Sequence, residues 1–229
     1  MHIAVIPDGN RRYMLKYGIG SLERAYRSGI SKIYDFIEWC IELGVKEVTI
    51  YVLSLENLIN RSKKEIELLM KLFSEEAKKS LKDDRIHKNE IRVKICGDKN
   101  FIKNLDMRNA KDAIENLEKL EAFTCGYERL LLNLAIAYGG RQEIMNVIAA
   151  LRSHKSSEID ERIVKQYLWV NSYPDIIIRT SERRLSNFLL WQSAYSEIYF
   201  IDKLWPEFEK KDLIEIINDY NSRERRFGR

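Results

Sequence analysis

Leu130-Leu131-Leu132-Asn133-Leu134-Ala135-Ile136-Ala137 is apolar at every position but one, and it stops at Tyr138-Gly139-Gly140-Arg141. A strand with one wet face alternates polar and apolar residues. A strand that is apolar throughout is covered on both faces, the habit of a parallel sheet flanked by helices. The neighbouring segments repeat the theme. Ile3 to Ile6 is a short apolar run that ends in the turn residues Pro7-Asp8-Gly9-Asn10. Val48 to Leu53, Ile91 to Ile95 and Ile176 to Ile178 read as further strands. Between them lie helical patterns. Ile30, Ile33, Tyr34, Ile37 and Ile41 recur at helical spacing, with Gly44 as a C-terminal stop. Ser62-Lys63-Lys64-Glu65 reads as a capping box before Ile66, Leu69, Met70, Phe73 and Ala77. Ala110, Ile114 and Leu117 mark another helix, and one more follows Arg141. This order predicts an α/β fold: one domain over residues 1–229, with a central, mostly parallel sheet flanked by helices.

Composition agrees. The 229 residues are 45% apolar and 32% charged, which excludes a disordered or fibrous chain. There are 39 Lys and Arg against 35 Asp and Glu, a formal net charge of +4 that admits anionic ligands without demanding nucleic acid. Cys40, Cys96 and Cys125 are scattered, with no C-x-x-C pair, so neither a zinc site nor a disulfide framework is expected and a cytoplasmic compartment fits. No basic segment precedes the first short apolar run, so a signal peptide is not expected. No apolar stretch approaches the roughly 18–20 residues that span a bilayer.

In open parallel sheets ligands bind beyond the carboxyl ends of the strands. That rule selects five loops: Asp8–Arg12, Ser54–Arg61, Gly97–Asp98, Tyr138–Arg141 and Arg179–Ser186. In the first, Gly9 lets backbone approach a ligand, Arg11 and Arg12 suit a diphosphate, and Asp8 suits Mg²⁺ held against it. In isolation the same residues are also what a solvated surface turn contains. The second offers Ser54, Asn57 and Arg61; helix capping is the alternative use of the serine. The fifth carries Arg179, Arg183 and Arg184 with Thr180, Ser181 and Ser186. Arginine engages phosphate oxygens in a bidentate way that lysine cannot, so this is a second anion site. Two anion sites and an acidic residue suggest two phosphorylated substrates and a metal. Neither a Walker A nor a G-x-G-x-x-G pattern is present. His2, His87 and His154 fall outside these loops, so none is expected to be catalytic.

Taken together the loops resemble the cis-prenyltransferases, the undecaprenyl diphosphate synthase family. The resemblance runs in order through His2–Tyr13, Ser54-x-Glu56-Asn57, Leu132–Ala135, Tyr138–Arg141, Asp175–Thr180, Arg184–Gln192, Ala194–Glu197, Leu204–Pro206 and Arg223–Gly228. The Asp-Gly-Asn-Arg-Arg-Tyr form is similar to the archaeal and eukaryotic branch. The resemblance implies repeated condensation of isopentenyl diphosphate onto a geranylgeranyl or farnesyl diphosphate primer, giving a Z-polyprenyl diphosphate of the kind that serves as a glycosyl carrier lipid. It also implies Mg²⁺, a homodimer and peripheral membrane contact. By the same resemblance Asp8 and Asn57 are catalytic, and Asp8 and Glu197 hold the metal. Gly9, Asn10, Arg11 and Arg12 hold the primer diphosphate, and Arg179, Arg184 and Ser186 hold that of isopentenyl diphosphate. Tyr13, Arg24, Tyr26, Ser54, Leu55, Glu56, Leu58, Arg61 and Leu185 are further substrate-binding residues, with Ser54 and Glu56 beside Asn57. The tail Arg226-Phe227-Gly228 reaches the partner's site. Asn57 is a poor base, so a diphosphate oxygen or water takes the proton with Asn57 orienting it. Val52, Leu53, Leu69, Phe73, Leu132 and Leu134 are candidates for an apolar tunnel, and each could equally be plain core.

The sequence departs from the family pattern in several places. Tyr26 stands where the family has histidine, and Arg24 or Arg27 could supply the missing charge. The arginine loop is one glycine shorter between Thr180 and Arg184, and one extra residue separates Asn57 from Arg61. Val52 stands where alanine is common. These departures keep a second reading open, a non-catalytic subunit of a heteromeric prenyltransferase. A basic nucleic-acid-binding module is a third, disfavoured because the basic and acidic counts nearly balance.

Overall fold

The computed structural model describes residues 1–107, 109–152 and 158–223. Six strands form one sheet: β1 His2–Ile6, β2 Glu47–Ser54, β3 Ile91–Cys96, β4 Leu130–Tyr138, β5 Ile176–Thr180 and β6 Glu197–Ile201. Their order is β3-β4-β2-β1-β5-β6, and every pairing is parallel. The helices are α1 Asn10–Lys16, α2 Leu22–Glu42, α3 Leu55–Asn60, α4 Lys63–Ser80, α5 Asp84–Lys88, α6 Lys99–Lys103, α7 Ala110–Phe123, α8 Gly140–Leu151, α9 Glu161–Tyr167 and α10 Lys210–Ser222.

All five expected strands are present, and a sixth was not foreseen. The unforeseen strand is β6, an edge strand whose burial alternates between half-buried and exposed. Ser54–Arg61, expected as a loop, is mostly the short helix α3, and Ser54 Oγ accepts the Asn57 N–H at its start.

Successive residues of β1 point to opposite faces, as strand geometry requires. Ile3 and Val5 join a core with Phe36 of α2, Ile66 and Met70 of α4, Leu117 of α7 and Ile216 of α10. Ala4 and Ile6 join a smaller core with Tyr51, Tyr138, Val170 and Phe188. Burying each large aliphatic side chain is worth about 1.5–3 kcal/mol. Both faces of the central strands are therefore dry, as the unbroken apolar run of β4 implied. Its one polar residue, Asn133, is buried and satisfied: Nδ2 donates to Glu47 Oε1 (2.7 Å) and Thr49 Oγ1 (3.0 Å).

His2 sits at the far end of the sheet from the carboxyl-end loops. Its Nε2 lies 2.8 Å from Thr49 Oγ1, and the residue is 5% exposed. Burial lowers its pKa below the ordinary value, and the nearby Glu47 carboxylate only partly opposes this. A histidine held neutral in the folded chain but free to charge in the unfolded chain stabilises the fold above its unfolded pKa of about 6.5. That contribution is lost as pH falls through the lower folded value. Urea midpoints should therefore drop more steeply between pH 7 and 5 for the wild type than for His2→Gln. Parallel slopes would remove His2 as the cause.

No helix among the described residues is long and apolar enough to cross a membrane.

Candidate active site

A cavity of about 810 Å³ opens beyond the carboxyl ends of β1, β2 and β5. Part of its lining is polar and part apolar. Asp8, Arg11, Arg12, Tyr26, Asn57, Arg61, Arg179 and Arg184 belong to the polar part. Ile30 and Ile33 of α2, Val52 of β2, and Leu69, Leu72 and Phe73 of α4 supply the apolar wall. The shape suits an amphiphile with an anionic head.

The loop after β1 is held by its backbone. Thr180 Oγ1 accepts the Asp8 N–H (2.9 Å) and donates to the Asp8 carbonyl (2.8 Å), which also accepts the Trp205 N–H (2.9 Å). Gly9 follows at φ +110°, and a Cβ there would lie 2.9 Å from Leu204 Cδ2 and 3.1 Å from its Cα. The turn therefore needs glycine on both conformational and steric grounds. The Asp8 carboxylate is left partly open to solvent, between two guanidinium groups. Arg179 Nη2 donates to Asp8 Oδ2 (2.9 Å), and Arg12 Nη2 lies 3.4 Å from Oδ1. Arg12 Nη1 reaches across to Glu182 Oε1 (3.2 Å).

Arg179 stands at the centre of the loop expected as the second anion site. It is 3% exposed. Nη1 donates to the Arg184 carbonyl (2.7 Å) and to Ser186 Oγ (2.7 Å), while Nε is buried without a partner. Burial lowers its pKa and the Asp8 charge opposes that shift. A guanidinium is so strong a base that it stays charged at neutral pH all the same. The shortened arginine loop closes through left-handed backbone at Ser181 (φ +72°), Ser186 (φ +49°) and Asn187 (φ +64°). Among non-glycine residues asparagine tolerates that region best.

A family model described as "Putative undecaprenyl diphosphate synthase" matches residues 6–228. The chain belongs to this prenyltransferase family. It is 42% identical to a geranylgeranyl-diphosphate-specific tritrans,polycis-undecaprenyl-diphosphate synthase of Pyrobaculum aerophilum, covering all of this chain and 95% of that one. It is 40% identical to an isoprenyl transferase of Thermus thermophilus, again over all of this chain and 88% of the other. Lavandulyl diphosphate synthase from Lavandula x intermedia, solved with dimethylallyl diphosphate, superposes with a TM-score of 0.88 at 32% identity, over all of this chain and 98% of that one.

With the family in hand, the expected site residues divide. Asp8, Gly9, Asn10, Arg11, Arg12, Tyr26, Ser54, Glu56, Asn57, Arg61, Arg179, Arg184 and Ser186 all line the cavity. Tyr13, Arg24, Leu55, Leu58 and Leu185 do not. Leu55 and Leu58 are buried in the main core, Leu185 packs against the smaller one, Arg24 is exposed, and Tyr13 packs on Tyr17. Of the tunnel candidates, Val52, Leu69 and Phe73 line the cavity, whereas Leu53, Leu132 and Leu134 belong to the core around the sheet.

The charge near Tyr26 has another source than expected. Arg27 is taken by Glu23 and Glu75 on the outside of α2. Arg61 fills the role, donating from Nη1 to the Tyr26 hydroxyl (3.0 Å), which itself donates to Glu65 Oε1 (2.5 Å). Burial and the Glu65 carboxylate raise the Tyr26 pKa, so it stays a neutral phenol. Glu65 is thus only half of the expected capping box. Its N–H is capped by Ser62 Oγ (3.3 Å), but its carboxylate turns toward Arg61 and Tyr26.

Glu197 does not join Asp8 within one chain. It opens β6 opposite Ile176 at the start of β5, whereas Asp8 lies beyond Ile6, which pairs with Arg179. Three residues of strand, roughly 10 Å, separate the two levels. Glu197 instead faces Arg223 (3.2 Å) and Tyr199 (3.0 Å). No cluster of three His, Cys, Asp or Glu side chains that could hold a metal occurs among the described residues. Mg²⁺ commonly takes one or two carboxylates and completes its shell with substrate phosphate and water. Asp8, with its carboxylate partly open to solvent at the cavity, fits that habit. The Arg226–Gly228 tail and His154 lie outside the described residues.

Proposed function

We propose that this chain condenses isopentenyl diphosphate onto an allylic diphosphate primer, preferring geranylgeranyl diphosphate, and releases a long Z-polyprenyl diphosphate. One observation carries this reading. Two arginine-bearing loops meet at the 2.9 Å Arg179–Asp8 contact, in a cavity that also has an apolar wall. The names of the archaeal relatives support the geranylgeranyl primer.

The primer diphosphate sits by Asp8, Arg11 and Arg12, with its hydrocarbon along Ile33, Leu69 and Phe73. The diphosphate of isopentenyl diphosphate sits on Arg179, Arg184 and Ser186. The allylic C–O bond breaks, primer C1 bonds to C4 of the isopentenyl group, and a proton leaves C2 as the new double bond forms. Charge builds on the departing diphosphate, and the arginines stabilise it most at the transition state. Mg²⁺ held by Asp8 would supply further charge neutralisation there. Asn57 orients the diphosphate oxygen or water that receives the proton. We also assign the protein a homodimeric state, which the family resemblance implies, and peripheral contact with membrane, because the product is insoluble in water.

The test is incubation with Mg²⁺, labelled isopentenyl diphosphate and either farnesyl or geranylgeranyl diphosphate. Primer-dependent and metal-dependent butanol-extractable label is expected. A folded sample that gives none with either primer overturns the reading and points to the non-catalytic subunit. Phe73 forms part of the apolar wall, so Phe73→Ala should shift the products to longer chains by at least one isoprene unit on thin-layer chromatography. An unchanged product ladder would place the length stop elsewhere.

A further inference from the structure

We propose that Asn187 is a positioning residue for the isopentenyl diphosphate site, acting as a clasp that joins three strand-end segments. The inference rests on the function proposed above.

From its own loop after β5, Asn187 touches the segments that follow two other strands, β2 and β4. Its Nδ2 donates to Glu56 Oε1 of α3 (2.5 Å) and to Gln142 Oε1 of α8 (3.1 Å). Its Oδ1 accepts the Arg141 N–H (2.9 Å) and its carbonyl accepts the Gly140 N–H (2.7 Å). Every side-chain hydrogen-bonding group of the amide is used. Two of the contacts do a cap's work. The first N–H groups of a helix have no intrahelical partner, and Gly139, the capping residue just before α8, has no side chain to offer. Asn187 supplies both acceptors from a loop more than 40 positions away in sequence. The approach is close. A Cβ on Gly139 would lie 2.8 Å from Asn187 Nδ2, and one on Gly140 would lie 3.1 Å from its carbonyl oxygen.

Ser186 immediately precedes it. Ser186 Oγ receives Arg179 Nη1, and both residues hold left-handed backbone. A left-handed pair of non-glycine residues persists only where its surroundings over-determine it. Asn187 makes four of the bonds that do so, and the Tyr51 hydroxyl on the Ser186 carbonyl (3.3 Å) makes another. Loss of the clasp therefore moves Ser186 and loosens the acceptor pair that aims Arg179. The Asp8 loop, held by Thr180 and Trp205, makes none of its bonds to Asn187.

Asn187→Asp retains an acceptor for Arg141 but sets two carboxylates against each other at Glu56. Adding Glu56→Gln restores a donor–acceptor pair with its polarity reversed. Asn187→Asp should raise the isopentenyl diphosphate KM by about tenfold or more, since small misplacements of a binding group cost up to about a hundredfold. The primer KM should rise at least about fivefold less than that, and the Glu56→Gln/Asn187→Asp double variant, compared with Glu56→Gln alone, should show little further rise in the isopentenyl diphosphate KM. Asn187→Ala, checked for cooperative thermal unfolding, should show the same selective rise. An unchanged isopentenyl diphosphate KM, an equal rise for both substrates, or a rise from Glu56→Gln to the double variant as large as that from wild type to Asn187→Asp would overturn the clasp. A wild type without activity on any primer would instead overturn the functional reading.

Discussion

Asp8→Asn is expected to lower turnover by about 10²- to 10³-fold, the scale on which a group that stabilises transition-state charge acts. Its KM values should not rise. The reason is the sign of the charge. A carboxylate among Arg12, Arg179 and two diphosphates repels its own ligands, so for ground-state binding alone the site would do better without it. Its presence is useful only if the negative charge recruits a cation that acts as the primer ionises. Asparagine keeps the volume and can still accept from Arg179. The loop should hold its shape, because Thr180 and Trp205 grip the Asp8 backbone and not its side chain. Steady-state kinetics at saturating Mg²⁺ should show the fall in kcat. A titration with geranylgeranyl diphosphate in the absence of metal should show binding at least as tight as in the wild type. Weaker metal-free binding by Asp8→Asn would mean that Asp8 organises the arginines and does not serve a cation.

This split between charge and scaffold also explains what the sequence disclosed. The sheet was legible because dry strands are written as unbroken apolar runs, and the helices because their apolar stripes recur at helical spacing. β6 was not, since a half-covered edge strand carries a weak pattern and Glu197-Ile198-Tyr199-Phe200-Ile201 adjoins a polar segment. That Arg11, Arg12, Arg179 and Arg184 meet at one cavity was legible because strand-end loops of a parallel sheet converge there. The partners of the site's residues were not. Glu65 sits where a capping box puts it, yet its carboxylate serves Tyr26 and Arg61, and local spacing cannot distinguish the two uses. Arg24 and Arg61 look alike in sequence, but helix phase leaves Arg24 exposed while Arg61 reaches the cavity. Asp8 and Glu197 were paired by resemblance, and strand register separates them. Asn187 was passed over as one more polar loop residue because its bonds span loops that only the folded sheet brings together.

Arg179→Met is expected to raise the isopentenyl diphosphate KM by about a hundredfold or more while changing stability by no more than about 1–2 kcal/mol. The two effects have different origins. In the folded chain the guanidinium is nearly dry, and burial works against its charge. Removing it forfeits hydrogen bonds to the Arg184 carbonyl and Ser186 Oγ, worth about 1 kcal/mol each net, but also removes the desolvation penalty of a buried cation. Asp8 loses a partner yet retains Arg12 and solvent. These terms nearly cancel, and methionine fills a similar length. Nothing compensates at the ligand. A diphosphate loses a charged, fork-shaped donor, about 3 kcal/mol or about a hundredfold in affinity. Arg179→Lys should fall between, because one ammonium cannot face Ser186, the Arg184 carbonyl and Asp8 at once. Urea denaturation and substrate-resolved KM values decide the matter. A variant that unfolds several kcal/mol more easily would make Arg179 a structural ion-pair residue. An unchanged isopentenyl diphosphate KM would move the second anion site away from it. The expected pattern, a stable protein that no longer holds its substrate, is what a buried cation retained for its ligand should give.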